Sequence, residues 1–213
     1  MTIIRISLIV ISMFVKKMQR EIIRHIITQN NGRITTKEAQ EAGIHRMYLK
    51  KSVDEGNLIR VSRGIYQSTD SFEDELLNLQ TQYPSGIFSY ETALYLHTLL
   101  ERVPMSWTMT FKGSYHSDVL QSMGIVVKHS SEKLYPIEIE EVKTPSGNVV
   151  RSYSAERTLC EIMTAKAATD IQVCTYAFRA YSKFRNKNIP KLMDLSKKFH
   201  IESKIRSYLE VLL

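Results

Sequence analysis

Cysteine is almost missing from this sequence of 213 residues, which holds only Cys160 and Cys174. Neither belongs to a C-x-x-C or Cys/His spacing, which speaks against a disulfide framework or a zinc site and leaves both as small apolar side chains on helices. A reducing, cytoplasmic setting follows. Also missing are a Walker loop, a dinucleotide glycine motif, an H-E-x-x-H pair and a nucleophile elbow. The six histidines, at positions 25, 45, 97, 116, 129 and 200, show no metal-ligand spacing, so neither a metal nor an organic cofactor is expected. There is no internal repeat and no low-complexity tract, and the 43% apolar and 24% charged content is that of a folded domain rather than a disordered chain.

A membrane-length apolar run is missing too. The stretch "IIRISLIVISMFV" from Ile3 to Val15 contains Arg5, is too short to span a bilayer and is followed by Lys16 and Lys17 instead of a small-residue cleavage site. It reads as a strand or helix extension that packs on the body, or as residues upstream of a true start at Met13 or Met18. A signal peptide or anchor is the third and weaker alternative, and all three stay open.

What the sequence does have is positive charge at its two ends. Residues 1–70 hold 12 Lys/Arg against 6 Asp/Glu, residues 71–170 hold 8 against 13, and residues 171–213 hold 9 against 3. A basic face concentrates polyanions and releases their counterions on binding, so nucleic acid is the leading partner, ahead of an anionic membrane surface.

The basic N-terminal part has a definite order. Val15, Met18, Ile22, Ile23, Ile26 and Ile27 recur at helical spacing and predict a helix over residues 15–29, ended by Asn30, Asn31 and Gly32. Thr35 stands three residues before Glu38, the pattern of a capping box that starts a short second helix, and Gly43 turns the chain. A third helix is expected over residues 45–55 with Leu49 and Val53 on its core side. The runs "LIRV" and "IYQ" flank "SRG" and predict a hairpin. Helix, short helix, glycine turn, helix, hairpin is the order of a winged helix-turn-helix. On the third helix Arg46 with Lys50 and Met47 with Lys51 are i, i+4 pairs, which puts both lysines away from the core side. Arg60 and Arg63 lie on the hairpin, the second at its tip where a wing meets phosphate or the minor groove. His45 is either a recognition-helix contact or a cap.

From residue 71 on, the pattern is mixed. Helices are expected in "SFEDELLNLQTQ" and in residues 89–100, and strands in "SWTMTF", "GIVVKH" and the two halves of "YPIEIEEVKTPSGNVVRSYS". Four helices follow from Ser154 to the end. Glu138 with Glu140 is the nearest candidate for the carboxylate pair that a two-metal nucleotidyltransferase site would need after Gly113 and Ser114, but the spacing fits loosely. Glu156 and Arg157 at a helix start read as structural. Arg179, Lys183, Arg185 and Lys187, with Tyr181 and Phe184 interleaved, form either a solvated face or a second polyanion-binding surface.

Three blocks, "ITTKEAQEAGIHRMYLKKSVDEGNLIRVSRGIY", "FSYETALYLHTLLERVPMSWTMTF" and "SYSAERTLCEIM", resemble in the same order the AbiEi antitoxins of abortive-infection toxin-antitoxin systems. The resemblance covers the chain from about Met18. It implies an α+β protein with a winged helix-turn-helix at residues 18–70, after an apolar extension at 1–17, and an antitoxin domain at 71–213 with a small sheet and a helical C-terminal part. It also implies a non-enzymatic phage-defence protein that represses its own operon by binding inverted repeats in promoter DNA, two copies at a time. That protein would counteract a nucleotidyltransferase-like toxin without needing a stable complex. Carried over by position, the DNA-contacting residues are Arg33, Thr35, Thr36, His45, Arg46, Tyr48, Lys50, Lys51, Arg60 and Arg63. Two alternatives stand beside this: a protein that titrates the toxin by binding it, and an enzyme that reverses a nucleotidyl or phosphoryl transfer.

Overall fold

In the computed structural model the backbone is described for residues 2–70, 74–164 and 169–212, and side chains for 14–70, 74–164 and 169–210. The chain divides into two compact units, Met1–Gln82 and Tyr83–Leu213. Both are mixed α and β.

The first unit opens with one continuous helix, α1 (Thr2–Gln29). Its apolar side chains at residues 3–13 lie outside the described ones. Ile23 is buried against Ile34, Ala39, Ile44, Leu49 and Leu58, and Ile22, Ile26 and Ile27 pack around that cluster, so the helical spacing of these isoleucines is what docks the helix. Asn31 and Gly32, both at positive φ, end it. There follow β1 (Arg33–Thr35), α2 (Thr36–Glu41), α3 (Arg46–Asp54), β2 (Leu58–Ser62), β3 (Ile65–Ser68) and α4 (Glu75–Gln82). Residues 71–73, where the sequence reading begins that last helix, lie outside the described residues.

Thr35 caps α2 as its spacing predicts. The Glu38 N–H donates to the Thr35 hydroxyl at 3.1 Å and the Thr35 N–H donates to the Glu38 carboxylate at 2.6 Å. Two amides that the helix itself leaves unpaired are satisfied this way. Gly43, at φ +72, makes the turn between α2 and α3, which an L side chain would strain. Leu49 is fully buried, and burying a leucine side chain is worth about 1.5–3 kcal/mol.

The hairpin of β2 and β3 carries a third strand that sequence reasoning does not find, giving the antiparallel order β1-β3-β2. Arg33 pairs with Gln67 and Thr35 with Ile65. At the tip Gly64 holds φ +78, and a Cβ there would come within 3.3 Å of the Thr36 hydroxyl. The Thr36 N–H donates to the Gly64 carbonyl at 2.8 Å, so the hairpin turn is bonded to the first residue of α2.

The second unit contains a five-stranded mixed sheet in the order β6-β5-β4-β8-β7. Its elements are β4 (Ile87–Phe88), α5 (Tyr90–Leu96), β5 (Thr108–Lys112), α6 (Asp118–Ser122), β6 (Val126–Ser130), β7 (Ile139–Lys143), β8 (Val149–Tyr153), α7 (Ala155–Ile162), α8 (Ile171–Ser182), α9 (Ile189–Lys198) and α10 (Glu202–Leu212). The pairs β4–β8 and β5–β6 are parallel, while β4–β5 and β7–β8 are antiparallel. Strand β4 is two residues long, yet it joins the two halves of the sheet. The helix expected over residues 89–100 stops at Leu96, because Thr98 turns left-handed and sends Leu99 and Leu100 into the core.

That core joins Leu94, Leu159, Cys160, Ala177, Phe178, Leu192 and Ile205. Arg157 is buried in full beside it. Its Nη1 donates to the Leu134 and Ile137 carbonyls, its Nε lies 3.2 Å from Glu161 Oε1, and its guanidinium lies 3.3 Å from the Tyr153 ring centroid. A buried cation needs that many partners to stay charged. The structural reading of Glu156 and Arg157 holds: Glu156 accepts the Tyr181 hydroxyl at 2.8 Å and the Asn188 N–H at 3.2 Å.

Candidate nucleic-acid interface

Helix α3 divides cleanly by environment. Leu49 and Ser52 are buried and Tyr48 and Val53 half-buried, while Arg46, Met47, Lys50 and Lys51 are exposed. His45 is the N-cap, its Nδ1 accepting the Met47 N–H at 3.3 Å. Acceptance at Nδ1 places the neutral ring's proton on Nε2, so the capping role and an outward donor coexist in one side chain. Arg46 follows at the first helical position.

The cations of α3 are not equivalent. Lys51 lies 3.9 Å from Glu55 Oε1, and the same oxygen takes Arg20 of α1 at 2.5 Å. Arg46 and Lys50 make no ion pair among the described residues, and neither does Arg63. Arg60 is exposed, and its Nε donates to the Ser62 carbonyl at 3.3 Å, beside the register shift between Arg60 and Ser62 on β2. Arg63 stands at the hairpin turn, which the Gly64 carbonyl fixes to α2. The ion pair through Glu55 is the feature sequence reasoning misses. The i, i+4 spacing of Lys51 and Glu55 is visible in the sequence, but Arg20, 35 residues away, is not.

Other positions carried over from the resemblance work inside the unit. Arg33 is half-buried, its Nη2 donates to the Thr81 hydroxyl at 2.7 Å, and burial holds its pKa below the ordinary arginine value against the pull of Glu38 and Asp74. The Thr35 hydroxyl is taken up by the capping box and that of Thr36 by the Gly64 carbonyl. The Tyr48 ring packs on the core. The structure therefore brings Arg33, Thr35, Thr36 and Tyr48 together as the frame, and leaves His45, Arg46, Lys50, Lys51, Arg60 and Arg63 as the polar surface of α3 and the hairpin.

In the C-terminal unit, Arg179, Lys183 and Arg185 are exposed and without ion pairs among the described residues, and the Lys187 ammonium donates to the Ser182 carbonyl at 2.7 Å. They gather at the C-terminal end of α8, where cations suit the helix dipole. The interleaved Tyr181 is a buried core residue and Phe184 packs on the same core. Glu138 and Glu140 do not form a pair. Glu138 sits at φ +58 before β7 begins and is bridged to Lys191, which also reaches Glu156 at 3.3 Å, while Glu140 lies 3.6 Å from His97. Among the described residues no group of three His, Cys, Asp or Glu side chains could hold a metal ion, and no helix is long and apolar enough to cross a membrane.

Comparisons with known proteins bear on both units. The RV2827C protein from Mycobacterium tuberculosis has a crystal structure similar to this chain, with a TM-score of 0.55 at 11% identity, covering 83% of this chain and 70% of that one. At that identity the likeness is one of fold. No curated protein matches the chain. Residues 21–69 match the family model described as "Transcriptional regulator, AbiEi antitoxin". That stretch contains the capping box, α3 and the whole hairpin, so the likeness to AbiEi antitoxin regulators is carried by the first unit.

Proposed function

We propose that the chain is a cytoplasmic antitoxin of a toxin-antitoxin module and represses its own operon by binding inverted repeats in promoter DNA. In this reading the first unit is a winged helix-turn-helix. The N-terminal part of α3 enters the major groove, led by His45 and Arg46, and Lys50 and Lys51 meet phosphates. The hairpin is the wing, with Arg63 at the flanking backbone or minor groove. Two copies on an inverted repeat sit about one helical turn apart, roughly 34 Å, or a multiple of it. The C-terminal unit counteracts a nucleotidyltransferase-like toxin.

The observation that carries the DNA-binding part is the state of the cations. Arg46, Lys50 and Arg63 are exposed and make no ion pair among the described residues, on a helix and a turn whose backbones are fixed by caps and hydrogen bonds. Charges held on a rigid frame without internal partners lose little on meeting phosphate. Substituting Arg46, Lys50 and Arg63 together by alanine tests it. Retained affinity for the promoter duplex would rule this surface out.

The antitoxin part rests on the family of the first unit. Growth of cells carrying the neighbouring toxin gene, with and without this chain, tests it directly. Rescue by the triple-alanine variant would separate neutralisation from repression.

A further inference from the structure

The C-terminal unit holds a cleft of about 370 Å³ that the regulatory reading does not use. Its floor is formed by β5 and β6, where Thr108 pairs with Val126 and the side chains of Val126 and Lys128 emerge on one face. Tyr90 and Glu91 at the start of α5 also line it, with Val103 and Met105 of the loop before β5. A cleft of this size is within the range of small-ligand sites.

The chemistry inside it is lopsided. The Lys128 ammonium is half-buried, makes no ion pair among the described residues, and stands 5.1 Å from the centroid of the Tyr90 ring. A ring face only partly compensates a desolvated ammonium. The second cation at the cleft, Arg102, lies 3.9 Å from Glu91 and so is already answered. Lys128 is the charge left over. Tyr90 is held at φ +50, a left-handed conformation that strains an aromatic residue, and its N–H donates to the buried Glu161 carboxylate. Burial keeps its hydroxyl neutral, with a pKa pushed up to about 12, so it remains a donor. Around the mouth the exposed side chains are apolar: Val103 is 59% exposed and Met105 fully so, with Val126 beside them.

We infer that this cleft binds a small phosphate monoester carried on an apolar or aromatic body. The phosphate would meet the Lys128 ammonium and the Tyr90 hydroxyl, and the body would cover Val103, Met105 and Val126. A charge-assisted hydrogen bond to phosphate supplies the anionic partner that Lys128 lacks among the described residues, and the rim loses water to the apolar body.

Isothermal titration calorimetry on the full chain reads binding to the cleft directly. Phenyl phosphate titrated into the full chain is expected to give a saturable change, while inorganic phosphate and phenol each bind more weakly. Lys128→Met should weaken phenyl phosphate by about tenfold or more, and Met105→Glu, at a fully exposed position that folding does not depend on, should weaken it by charge repulsion. Lys50→Ala should leave it unchanged. No saturable response, equal affinity for inorganic phosphate, or affinity that survives Met105→Glu together with Lys128→Met would overturn the assignment. If Lys128→Met does not fold by circular dichroism, Met105→Glu alone decides.

Discussion

Lys51 lies 3.9 Å from Glu55 one turn along α3, whereas its neighbour Lys50 faces solvent with no carboxylate partner among the described residues. Adjacent in sequence and equal in charge, the two lysines differ in what they must give up to bind phosphate. Lys50→Ala is therefore expected to weaken binding to any duplex and to lower the salt slope by about one unit. Lys51→Ala should do the same to a smaller degree. Glu55→Gln, which releases both Lys51 and Arg20, should raise affinity and steepen the slope. A salt series on the three variants checks the ordering, and equal effects of the two lysine substitutions would count against it.

Arg46 should behave differently. It leads α3 just after the His45 cap, where a recognition helix reaches base edges. Arg46→Ala should cost about 1–3 kcal/mol on the promoter duplex and little on a scrambled one. Competition between the two duplexes measures this, and a uniform loss on both would place Arg46 on phosphate.

The frame beneath these side chains has its own test. Thr35→Ala removes half of the capping box and should cost about 1 kcal/mol. Gly64→Ala forces a side chain into a left-handed turn 3.3 Å from the Thr36 hydroxyl, and should both destabilise the first unit and weaken DNA binding through a displaced Arg63. Urea unfolding followed by circular dichroism, beside the duplex titration, separates a loss of stability from a loss of contact.

How far these features could be read from the sequence depended on the range of the interaction that makes them. The capping box, the turn at Gly43 and the hairpin at Gly64 are local, set by side chains within four residues of the backbone they fix. Strands β1 and β4 were not legible. Arg33–Thr35 looks like the approach to a helix, and becomes a strand only because Ile34 meets Tyr66 across the sheet. Ile87–Phe88 has two residues, too few for any periodicity, and exists through pairing with Thr110 and Ser152. At the candidate interface the basic stripe of α3 was legible from its spacing, but not its uneven neutralisation, which needs Arg20 from another helix. Glu138 and Glu140 looked like strand neighbours because alternation does not reveal the left-handed residue that starts β7 late.

The C-terminal unit should carry a pH dependence of its own. Burial pushes the Glu161 carboxyl up to about 7 from an ordinary 4.5, outweighing the pull of Arg157. A carboxyl that holds its proton more tightly when folded contributes stability that is fully present below the unfolded value and lost as pH rises through the folded one. The thermal midpoint read by Trp107 should thus fall between about pH 5 and about pH 8, and Glu161→Gln should flatten that fall. An unchanged slope in the variant would remove Glu161 as its source.

The central claim, that α3 and the hairpin form an operator-reading surface, is tested most directly by fluorescence anisotropy. The full chain is titrated into the duplex from upstream of its own gene and into a scrambled duplex of equal length, across a salt series. The account predicts tighter binding to the promoter duplex, steep salt dependence on both, and loss of the difference between them in Arg46→Ala. Weak and equal binding to both duplexes would contradict it and leave the basic stretch as a general polyanion face.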